Sequence, residues 1–326
     1  MKKISIIIPF FNEGPGINSF YTSLIAELKK ISGYFFELVL IDDGSEDDTL
    51  SSLIKLQGND FIGLKVIELS KNFGKEAALT AGIHNCSGDA VIFMDSDLEH
   101  PPQLINQMIQ KWLDGNDVVL GKRASRSNEK FFKRFAVKIF YGIYSKLAQF
   151  KTHQGVGEFR LMNKESIEAL KSLEENQRFM RGLMSWAGFK EVVIEFEPVK
   201  REHGESKFSY FKLFLYAIDG ITNFSIAPLR LSIFLGVFFA FAAIIFGAYL
   251  FWEFYVFGVN VPGFQTLILT IVFFGSINLI ILGIIGEYIG KIFLESKKRP
   301  SFIIRKIYQT NESNESNESN ESNESN

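Results

Sequence analysis

Residues 91–102 read VIFMDSDLEHPP, an apolar run that ends in two aspartates one residue apart and is followed by two prolines. The apolar run predicts a buried β-strand, and the prolines favour the first turn of a helix after it. The strand would therefore carry Asp95 and Asp97 out of the core at its carboxyl end.

Strand-like and helix-like segments alternate on both sides of this stretch. We predict further strands in KISIIIPF, FELVLIDDGS, LKVIEL and DVVLGKR, and helices over residues 15–31, 46–57, 75–85 and 101–113. Continuous apolar runs suit strands that are covered on both faces, so the pattern predicts an α/β fold with a mostly parallel sheet. Ligands of such sheets bind beyond the carboxyl ends of the strands, where Glu13, Asp42 and Asp43 also fall.

The composition describes a chain with an excess of apolar residues. The 326 residues are 47% hydrophobic, with 34 phenylalanines and a formal net charge of −2, which gives no reason to expect a nucleic-acid partner. A single cysteine, Cys86, excludes an intramolecular disulfide and favours a reducing compartment. The four histidines lie far apart and do not match zinc-ligand spacing. The N-terminus lacks a small-residue cleavage site, so we interpret it as a strand and not as a signal peptide.

Two apolar segments are long enough to cross a membrane. Residues 231–252 and 263–286 contain 22 and 24 residues without a charge. As helices they would extend roughly 33–36 Å, and the hydrocarbon core of a bilayer is about 30 Å thick. Soluble core helices rarely run so far without a charge, so two buried helices are the weaker interpretation. The link between the segments has no Lys or Arg, whereas both flanks are basic, which predicts a hairpin with both flanks in the cytoplasm.

These segments divide the chain. We predict a cytosolic domain over 1–225, two membrane helices within 226–290, a basic cytosolic segment at 291–310 and a disordered tail at 311–326. The tail consists of five Asn-Glu-Ser triplets and a final Asn, and it has no apolar face. Basic, aromatic residues at helical spacing also predict membrane-surface helices over 129–150 and 207–224. Ordinary core-packing helices are the alternative for both.

Asp95 and Asp97 are the chemically most informative residues. On an extended turn both carboxylates can reach one hard cation, and Mg²⁺ or Mn²⁺ is usually bound by one or two carboxylates plus the phosphates of a substrate. The motif alone also fits an Asx turn that caps the next helix. Because other acidic strand ends converge on the same edge, we favour a divalent-metal site.

Several segments occur in the order found in family 2 glycosyltransferases. They are IIIPFFNEG, LIDDGSEDDT, NFGKEAALTAGI, GDAVIFMDSDLEHPP, VLGKR and VGEFRLMNK. Over about residues 3–305, including both apolar segments, the chain resembles the polyprenyl-phosphate glycosyltransferases. These include dolichol-phosphate mannose synthases and bacterial bactoprenol glucosyltransferases. The resemblance implies a GT-A fold with a Rossmann-like sheet, followed by a transmembrane hairpin in the bacterial inner membrane.

The resemblance also implies roles for individual residues. A nucleotide-sugar donor would contact Pro9, Asn12, Glu13, Asp43, Asp95 and Arg123. Asp95 and Asp97 would hold Mg²⁺ or Mn²⁺ on the donor diphosphate, with Asp97 counted as catalytic. The phosphate of the lipid acceptor would contact Arg126, Arg160 and Lys207. A solvated surface charge is the alternative for Arg126 and for the neighbouring Lys122.

Position 158 departs from the family pattern. Relatives typically carry aspartate in GDFRL as the proposed catalytic base, where this chain has Glu158 in VGEFRL. The additional methylene moves the carboxylate by about an ångström, which can be costly for a positioned catalytic group. A phosphate monoester, with a second pKa of about 6, is already largely dianionic at pH 7 and needs a base less than a sugar hydroxyl does. Glu158 is therefore a candidate catalytic base, with orientation of Arg160 or of the metal as the alternative.

The implied reaction is an inverting transfer of a hexose to undecaprenyl or another polyprenyl phosphate, which then serves surface glycan modification such as that of the O-antigen of lipopolysaccharide. UDP-glucose is the favoured donor, and N-acetylglucosamine, galactose and mannose donors stay open. A processive polysaccharide synthase is disfavoured because QRFMRGLMSW only nearly matches its Gln-x-x-Arg-Trp motif. A non-catalytic protein that binds nucleotide-sugar or lipid would not need both aspartates. Small residues in the second apolar segment and just after it favour a homo-oligomer: Gly275, Gly283, Gly286 and Gly290.

Overall fold

The computed structural model describes residues 1–56, 61–97, 99–124, 155–173, 175, 178, 180–197, 222, 225–257 and 263–310. The described residues belong to two compact units. One contains the N-terminal region and the segment that begins at Arg299, and the other contains the long apolar helices.

The first unit is built on a sheet of which eight strands are described. In chain order they are β1 (Lys2–Phe10), β2 (Tyr34–Asp42), β3 (Ile62–Leu69), β4 (Ala90–Phe93), β5 (Val118–Arg123), β6 (Val156–Asn163), β7 (Glu191–Phe196) and β8 (Ile304–Thr310). Their order across the sheet is β7-β5-β6-β4-β1-β2-β3-β8. β1 is parallel to β2 and β4, β2 to β3, and β5 to β7. β6 is antiparallel to β4 and β5, and β8 to β3. The predicted α/β fold with a mostly parallel sheet is confirmed.

Helices follow most of these strands. In chain order the described helices are α1 (Ile17–Leu28), α2 (Thr49–Ile54), α3 (Lys75–Asn85), α4 (Leu104–Leu113), α5 (Lys164–Lys171), α6 (Met180–Trp186), α7 (Ala227–Phe257) and α8 (Phe264–Ser296). The bounds of α3 equal the predicted ones. The helices predicted over 15–31 and 46–57 are shorter at both ends, and the helix predicted over 101–113 begins later and ends as predicted. The sequence analysis did not predict β6, β7, β8, α5 or α6 as elements.

The first strand explains why continuous apolar runs predicted this sheet. Ile4, Ile6 and Ile8 face one side and Ile7 faces the other, and all four are fully buried. Ile7 lies so close to Gly82 of α3 that a Cβ on this glycine would be 2.5 Å from the Ile7 side chain. Ile4, Ile6 and Ile8 share a core cluster with residues of α1 and α4, so helices cover both faces and the strands require apolar residues at consecutive positions.

β8, which follows the long helices in the chain, is an edge strand of the same sheet. It pairs with β3, and the buried Glu68 of that strand accepts hydrogen bonds from Tyr308 Oη (2.9 Å) and Arg305 Nη1 (3.2 Å). The sheet thus takes a strand from within the segment 291–310, which the sequence analysis placed outside the domain at 1–225.

α7 and α8 are the two candidate membrane spans among the described residues. Their spans cover Ala227–Glu253 and Thr270–Ser296, with mean hydropathies of 2.5 and 1.9, and none of either apolar window is buried inside the protein. The two helices contact each other through Phe239, whose ring lies 5.7 Å from that of Phe273 and 6.1 Å from that of Phe274. By length and composition, both helices could cross a membrane.

Candidate active site

The loops after β1 and β2 are bound to each other by hydrogen bonds. Asn12 has a left-handed backbone (φ 54°), which Asn tolerates better than most residues. Its side-chain oxygen accepts from Glu46 N (2.9 Å), and its backbone N donates to Ser45 Oγ (3.0 Å). Glu13 N donates to Thr49 Oγ1 at 2.8 Å. Asn12, predicted to line a nucleotide pocket, thus helps to hold the two loops together at the carboxyl edge of the sheet.

Asp43 anchors a third loop to this edge. Its carboxylate is buried and accepts from Phe73 N (2.8 Å) and Gly74 N (2.9 Å), directly before α3. Burial raises the pKa of Asp43, and the two backbone donors only partly offset that effect. Asp43, predicted to contact a nucleotide-sugar donor, thus fixes the loop that leads into α3, because each of its two oxygens accepts from a backbone N of that loop.

The turn that follows β4 joins the first strand through Ser96. Ser96 stands between Asp95 and Asp97 in the sequence, and its hydroxyl donates to a carboxylate oxygen of Glu13 and lies 3.3 Å from Pro9 O. Asp97 Oδ1 accepts from Glu99 N at 3.0 Å, which is an Asx turn. The cap position of α4 has no side-chain hydrogen bond, so the alternative interpretation of the motif as a helix cap is not realised.

Three carboxylates converge on this turn. Burial raises the pKa of Glu13, the hydrogen bond from Ser96 opposes it, and the negative charges of Asp97 and Asp95 raise it further. Like charges this close make the edge strongly attractive to a cation. Glu13 therefore lies within electrostatic reach of both Asp95 and Asp97.

Lys75, at the start of α3, lies between two of the acidic residues. Its ammonium is 2.6 Å from Asp95 Oδ1 and also pairs with Glu158 Oε2. Burial alone would lower the pKa of Lys75, but these two carboxylates outweigh it and raise the pKa. The pKa of Asp95 is lowered, because Lys75 and His100 outweigh the effect of burial.

Glu158 therefore has a cationic partner on each oxygen. Its Oε2 pairs with Lys75, and its Oε1 accepts from Arg181 Nε of α6 at 3.2 Å. Its side chain is 7% exposed. A carboxylate that is held from both sides by cations is well placed to orient them.

Glu76, next to Lys75, fixes the helix that supplies Arg181. Its Oε2 accepts from Met180 N, the first residue of α6, at 2.9 Å. Burial and the charge of Glu158 raise the pKa of Glu76 to about 7. The first turn of α3 thus contacts Glu158 directly through Lys75 and indirectly through α6.

Sequence reasoning missed Lys75, Glu76 and Arg181. NFGKEAALTAGI entered it only as a family segment, and the stretch around Arg181 only as a near match to a synthase motif. A charged pair at the start of an otherwise apolar helix was the available signal for Lys75 and Glu76. For Arg181 no local signal points to a partner 23 residues away.

Arg123, at the end of β5, contacts residues that adjoin the acidic turn. Arg123 Nη1 pairs with Glu99 Oε2 at 2.7 Å, and its Nη2 lies 3.4 Å from His100 Nε2. His100 is buried, stacks on Phe159 and accepts from Asp95 N at 3.3 Å. Arg123 is thereby linked to the acidic turn.

Three of the remaining predicted cations are not placed at the acidic edge. Lys122 forms a 2.7 Å surface pair with Glu195, in line with the alternative of a solvated charge. Arg126 and Lys207 lie outside the described residues, as do residues 129–150 and all but Thr222 of the helix predicted at 207–224.

Arg160 is buried and only partly satisfied. It is 2% exposed, its Nη2 donates to Gly157 O (2.8 Å), and its Nε and Nη1 have no hydrogen-bond partner among the described residues. Burial lowers its pKa to about 10, and the nearby Glu158 opposes that change. Any contact with an acceptor phosphate would need a path to these buried donors.

The acidic edge can serve a divalent cation that also binds phosphate. Among the described residues, no group of three or more His, Cys, Asp or Glu side chains is arranged so that it could hold a metal ion. Two adjacent carboxylates are nevertheless a sufficient protein contribution for Mg²⁺ or Mn²⁺ when phosphate oxygens and water complete the shell. The donor set therefore fits an open site and not a dedicated protein cage.

Comparison with known proteins places this geometry in context. The model of the family "Glycosyl transferase family 2" matches residues 5–171. The SfII prophage-derived bactoprenol glucosyl transferase of Shigella flexneri is 41% identical over 95% of this chain and 99% of its own length. The prophage bactoprenol glucosyl transferase homolog of Escherichia coli K12 is 39% identical over 94% and 99%.

Among solved structures the likeness is weaker. One match is the crystal structure of glucosyl-3-phosphoglycerate synthase from Mycobacterium tuberculosis in complex with Mn²⁺, UDP and glucosyl-3-phosphoglycerate. It is 20% identical, covers 68% of this chain and 78% of its own, and has a TM-score of 0.44.

Proposed function

The chain belongs to glycosyl transferase family 2 and is a glycosyltransferase, and from this premise we propose that it transfers glucose from UDP-glucose to undecaprenyl phosphate. The observation that carries the proposal is the 41% identity with a bactoprenol glucosyl transferase over nearly the full length of both chains. That length includes the acidic edge of the sheet and both apolar helices.

The apolar helices support a lipid acceptor. The polyprenyl tail stays in the bilayer, so a transferase must meet its phosphate at the membrane surface. α7 and α8 could anchor the chain there, because each offers an apolar, exposed surface of sufficient length. A water-soluble acceptor would require neither helix.

The position of β8 supports a hairpin topology for these helices. The strand follows α8 in the chain, yet it pairs with β3, which precedes α7. If both helices cross the bilayer, the chain must return to the side from which it left. Basic residues on both flanks favour the cytoplasmic side of the bacterial inner membrane for the sheet and for both termini.

The surface of α8 also carries glycines at which another helix could pack closely. A Cβ built on Gly275, Gly283, Gly286 or Gly290 would meet nothing within 4 Å. Small residues at such spacing let another helix approach closely in a membrane. This supports a homo-oligomer that packs through α8.

The donor is proposed to bind across the carboxyl ends of β1, β2 and β4. The interlocked loops that carry Pro9, Asn12 and Glu13 would form the wall of the nucleotide pocket, and Asp43 and Arg123 would border it. Asp95 and Asp97 would hold Mg²⁺ or Mn²⁺ against the donor diphosphate. When bound, the cation would neutralise negative charge on the leaving nucleotide.

The proposed chemistry exchanges one carbon–oxygen bond for another. An oxygen of the lipid phosphate forms a bond to the anomeric carbon from the face opposite the donor diphosphate. The bond from that carbon to the diphosphate oxygen breaks, and its electron pair leaves with UDP. The anomeric configuration is inverted. The attacking phosphate is already largely ionised at pH 7, so the step requires no proton transfer.

This chemistry makes orientation a better role for Glu158 than proton abstraction. Each of its oxygens already has a cationic partner, and the nucleophile has no proton that must be removed. Glu158→Gln is therefore expected to lower the transfer rate by about tenfold or less, whereas loss of a true general base costs about 10²–10⁴-fold. Steady-state transfer rates would test this. A fall of a thousandfold, with the acidic limb of the pH profile removed, would restore Glu158 as the base.

The reaction is tested with the full chain purified in detergent and given undecaprenyl phosphate. Radiolabelled UDP-glucose, UDP-N-acetylglucosamine, UDP-galactose and GDP-mannose would each be offered with Mg²⁺ or with EDTA. We expect label in the lipid phase from UDP-glucose, dependent on the metal. Label from another donor alone would name a different sugar, and none from any donor would contradict the proposal.

Asp97→Asn is the matched variant for this assay. It keeps the size of the side chain and the oxygen that accepts from Glu99 N, but it removes the charge that would hold the metal. We expect a loss of at least about a hundredfold, the lower end of what removal of a charge-stabilising group costs. Undiminished transfer would exclude Asp97 from the metal site.

A further inference from the structure

The ammonium of Lys75 occupies the position where the acidic edge would meet a cation. It lies 2.6 Å from Asp95 Oδ1, and its side chain is 41% exposed while that of Asp95 is 24% exposed. The pair is therefore close to water and accessible to an incoming ion. Of the two carboxylates assigned to the metal, Asp95 is the one that this contact occupies.

An ammonium and a divalent cation compete for one carboxylate. Both are attracted to the same oxygens, and they repel each other with a strength that falls only inversely with distance. A lysine next to a metal-binding carboxylate must therefore move or weaken metal binding. Lys75 can leave Asp95 and still keep an ion pair, because Glu158 Oε2 is already its second partner.

Glu158 itself is held in place from the other side. Arg181 contacts Glu158 Oε1 at 3.2 Å, and Glu76 fixes the start of the helix that carries Arg181 through Met180 N at 2.9 Å. The carboxylate of Glu158 is thus held in place, and the flexible side chain of Lys75 can remain paired with it.

We propose that Lys75 is a built-in counter-ion of Asp95 which the divalent cation displaces, and that Glu158 retains the displaced ammonium at the edge of the site. In this arrangement the charge of Asp95 is offset without a metal, which weakens metal binding in the absence of the donor. The donor diphosphate adds oxygen ligands for the cation and so favours the exchange. The inference rests on the proposed function for its setting, since it assumes that Asp95 is a metal ligand. Lys75 is a positioning residue in this account.

The experiment measures Mn²⁺ binding by the full chain in detergent, without nucleotide or lipid, from the electron paramagnetic resonance signal of free Mn²⁺. Lys75→Gln removes the charge but keeps a side chain that can donate to Asp95 and Glu158. We expect it to bind Mn²⁺ about tenfold more tightly than the unsubstituted chain, because one repelling positive charge is gone. Unchanged or weaker binding would overturn the proposal.

Three variants control the interpretation. Lys71→Met removes a positive charge from the exposed loop before α3, at a residue that contacts Phe73 and not Asp95, and is expected to leave Mn²⁺ affinity unchanged. Lys75→Arg keeps the charge and is expected to bind like the original chain. Lys75→Met provides a second neutral variant should Lys75→Gln fail to fold. Equal tightening in Lys71→Met would mean a general charge effect and would contradict the proposal.

The role of Glu158 is tested by a double-mutant cycle on the same signal. If Glu158 acts by retaining Lys75, the effect of Glu158→Gln on Mn²⁺ affinity should shrink when Lys75 is already glutamine. Additive effects would contradict that role. Because no turnover is measured, absence of sugar transfer in the donor assay would leave these outcomes readable, and failure here would leave the proposed transfer reaction standing.

Discussion

Gly44 sits at a position where only glycine fits. Its backbone is left-handed (φ 66°), and a Cβ would lie 2.3 Å from the carbonyl carbon of Lys71. The residue lets the loop after β2 pass against the loop that Asp43 anchors. The glycine at the fourth position of the IDDGS stretch (residues 41–45) is thus explained by a close approach of two backbones, and not by chemistry.

We predict that Gly44→Ala destabilises the protein by about 2–4 kcal/mol, since both backbone strain and a steric overlap must be accommodated. Thermal unfolding in detergent, with transfer activity, would measure it. Gly16→Ala is the matched control, because a Cβ there meets nothing within 4 Å and its φ is −88°. A loss of equal size in both variants would contradict the explanation.

Glu37 is a buried carboxylate at the opposite end of the sheet. Burial would raise its pKa, but hydrogen bonds from Ser5, Ser87 and Lys3 outweigh that effect and lower the pKa to about 2. The ionised form is therefore preferred in the folded state.

This preference makes stability depend on pH. Because the folded pKa lies below the ordinary value of 4.5, the contribution of Glu37 is complete above about pH 4.5 and is lost as the pH falls towards 2. The contribution is about 3 kcal/mol at neutral pH. We predict that Glu37→Gln is less stable at pH 7 and loses less of its thermal stability between pH 5 and 3. An acid-induced loss equal to that of an exposed control, Glu46→Gln, would contradict the assignment.

At the residue scale, the sequence indicated the acidic groups better than their partners. Asp95, Asp97 and Glu13 could be placed together because they follow parallel strands, whose carboxyl ends share an edge. Lys75 and Arg181 could not, because which cation reaches Glu158 depends on where α3 and α6 place their side chains in the folded chain. Side-chain contacts across 23 to 83 residues leave no periodic signal.

At the scale of elements, β1 to β5 were predictable and β6 to β8 were not. The first five carry continuous apolar runs between helical segments, which is a local signal. β8 reads IRKIYQT and follows two apolar helices, so its polar residues favoured a separate basic segment. Its pairing with β3 is a long-range contact, and it depends on Glu68 as a buried acceptor for Arg305 and Tyr308.

We predict that removal of residues 304–326 destabilises the sheet, whereas removal of 311–326 alone does not. Without β8, Glu68 loses its two partners, and the apolar edge formed by Leu64 and Val66 meets water. Recovery of monodisperse protein in detergent and the thermal unfolding midpoint would measure the difference. Equal behaviour of the two truncations would mean that β8 is dispensable.

At the scale of the whole molecule, the sequence indicated a catalytic sheet joined to two apolar helices, since composition alone separates the two parts. It could not indicate that strands of the same sheet come both before and after those helices along the chain. That arrangement follows from β-pairing, which is decided by packing and not by composition. It means that the catalytic sheet is complete only after both helices have been made.

The central claim is that the phosphate of a polyprenyl lipid receives the sugar. The most direct test incubates the full chain and radiolabelled UDP-glucose with either undecaprenyl phosphate or undecaprenol, which share the lipid tail and differ in the phosphate. The account predicts label in the lipid phase with undecaprenyl phosphate alone. Equal labelling of undecaprenol, or no label in either lipid while UDP is released, would contradict it.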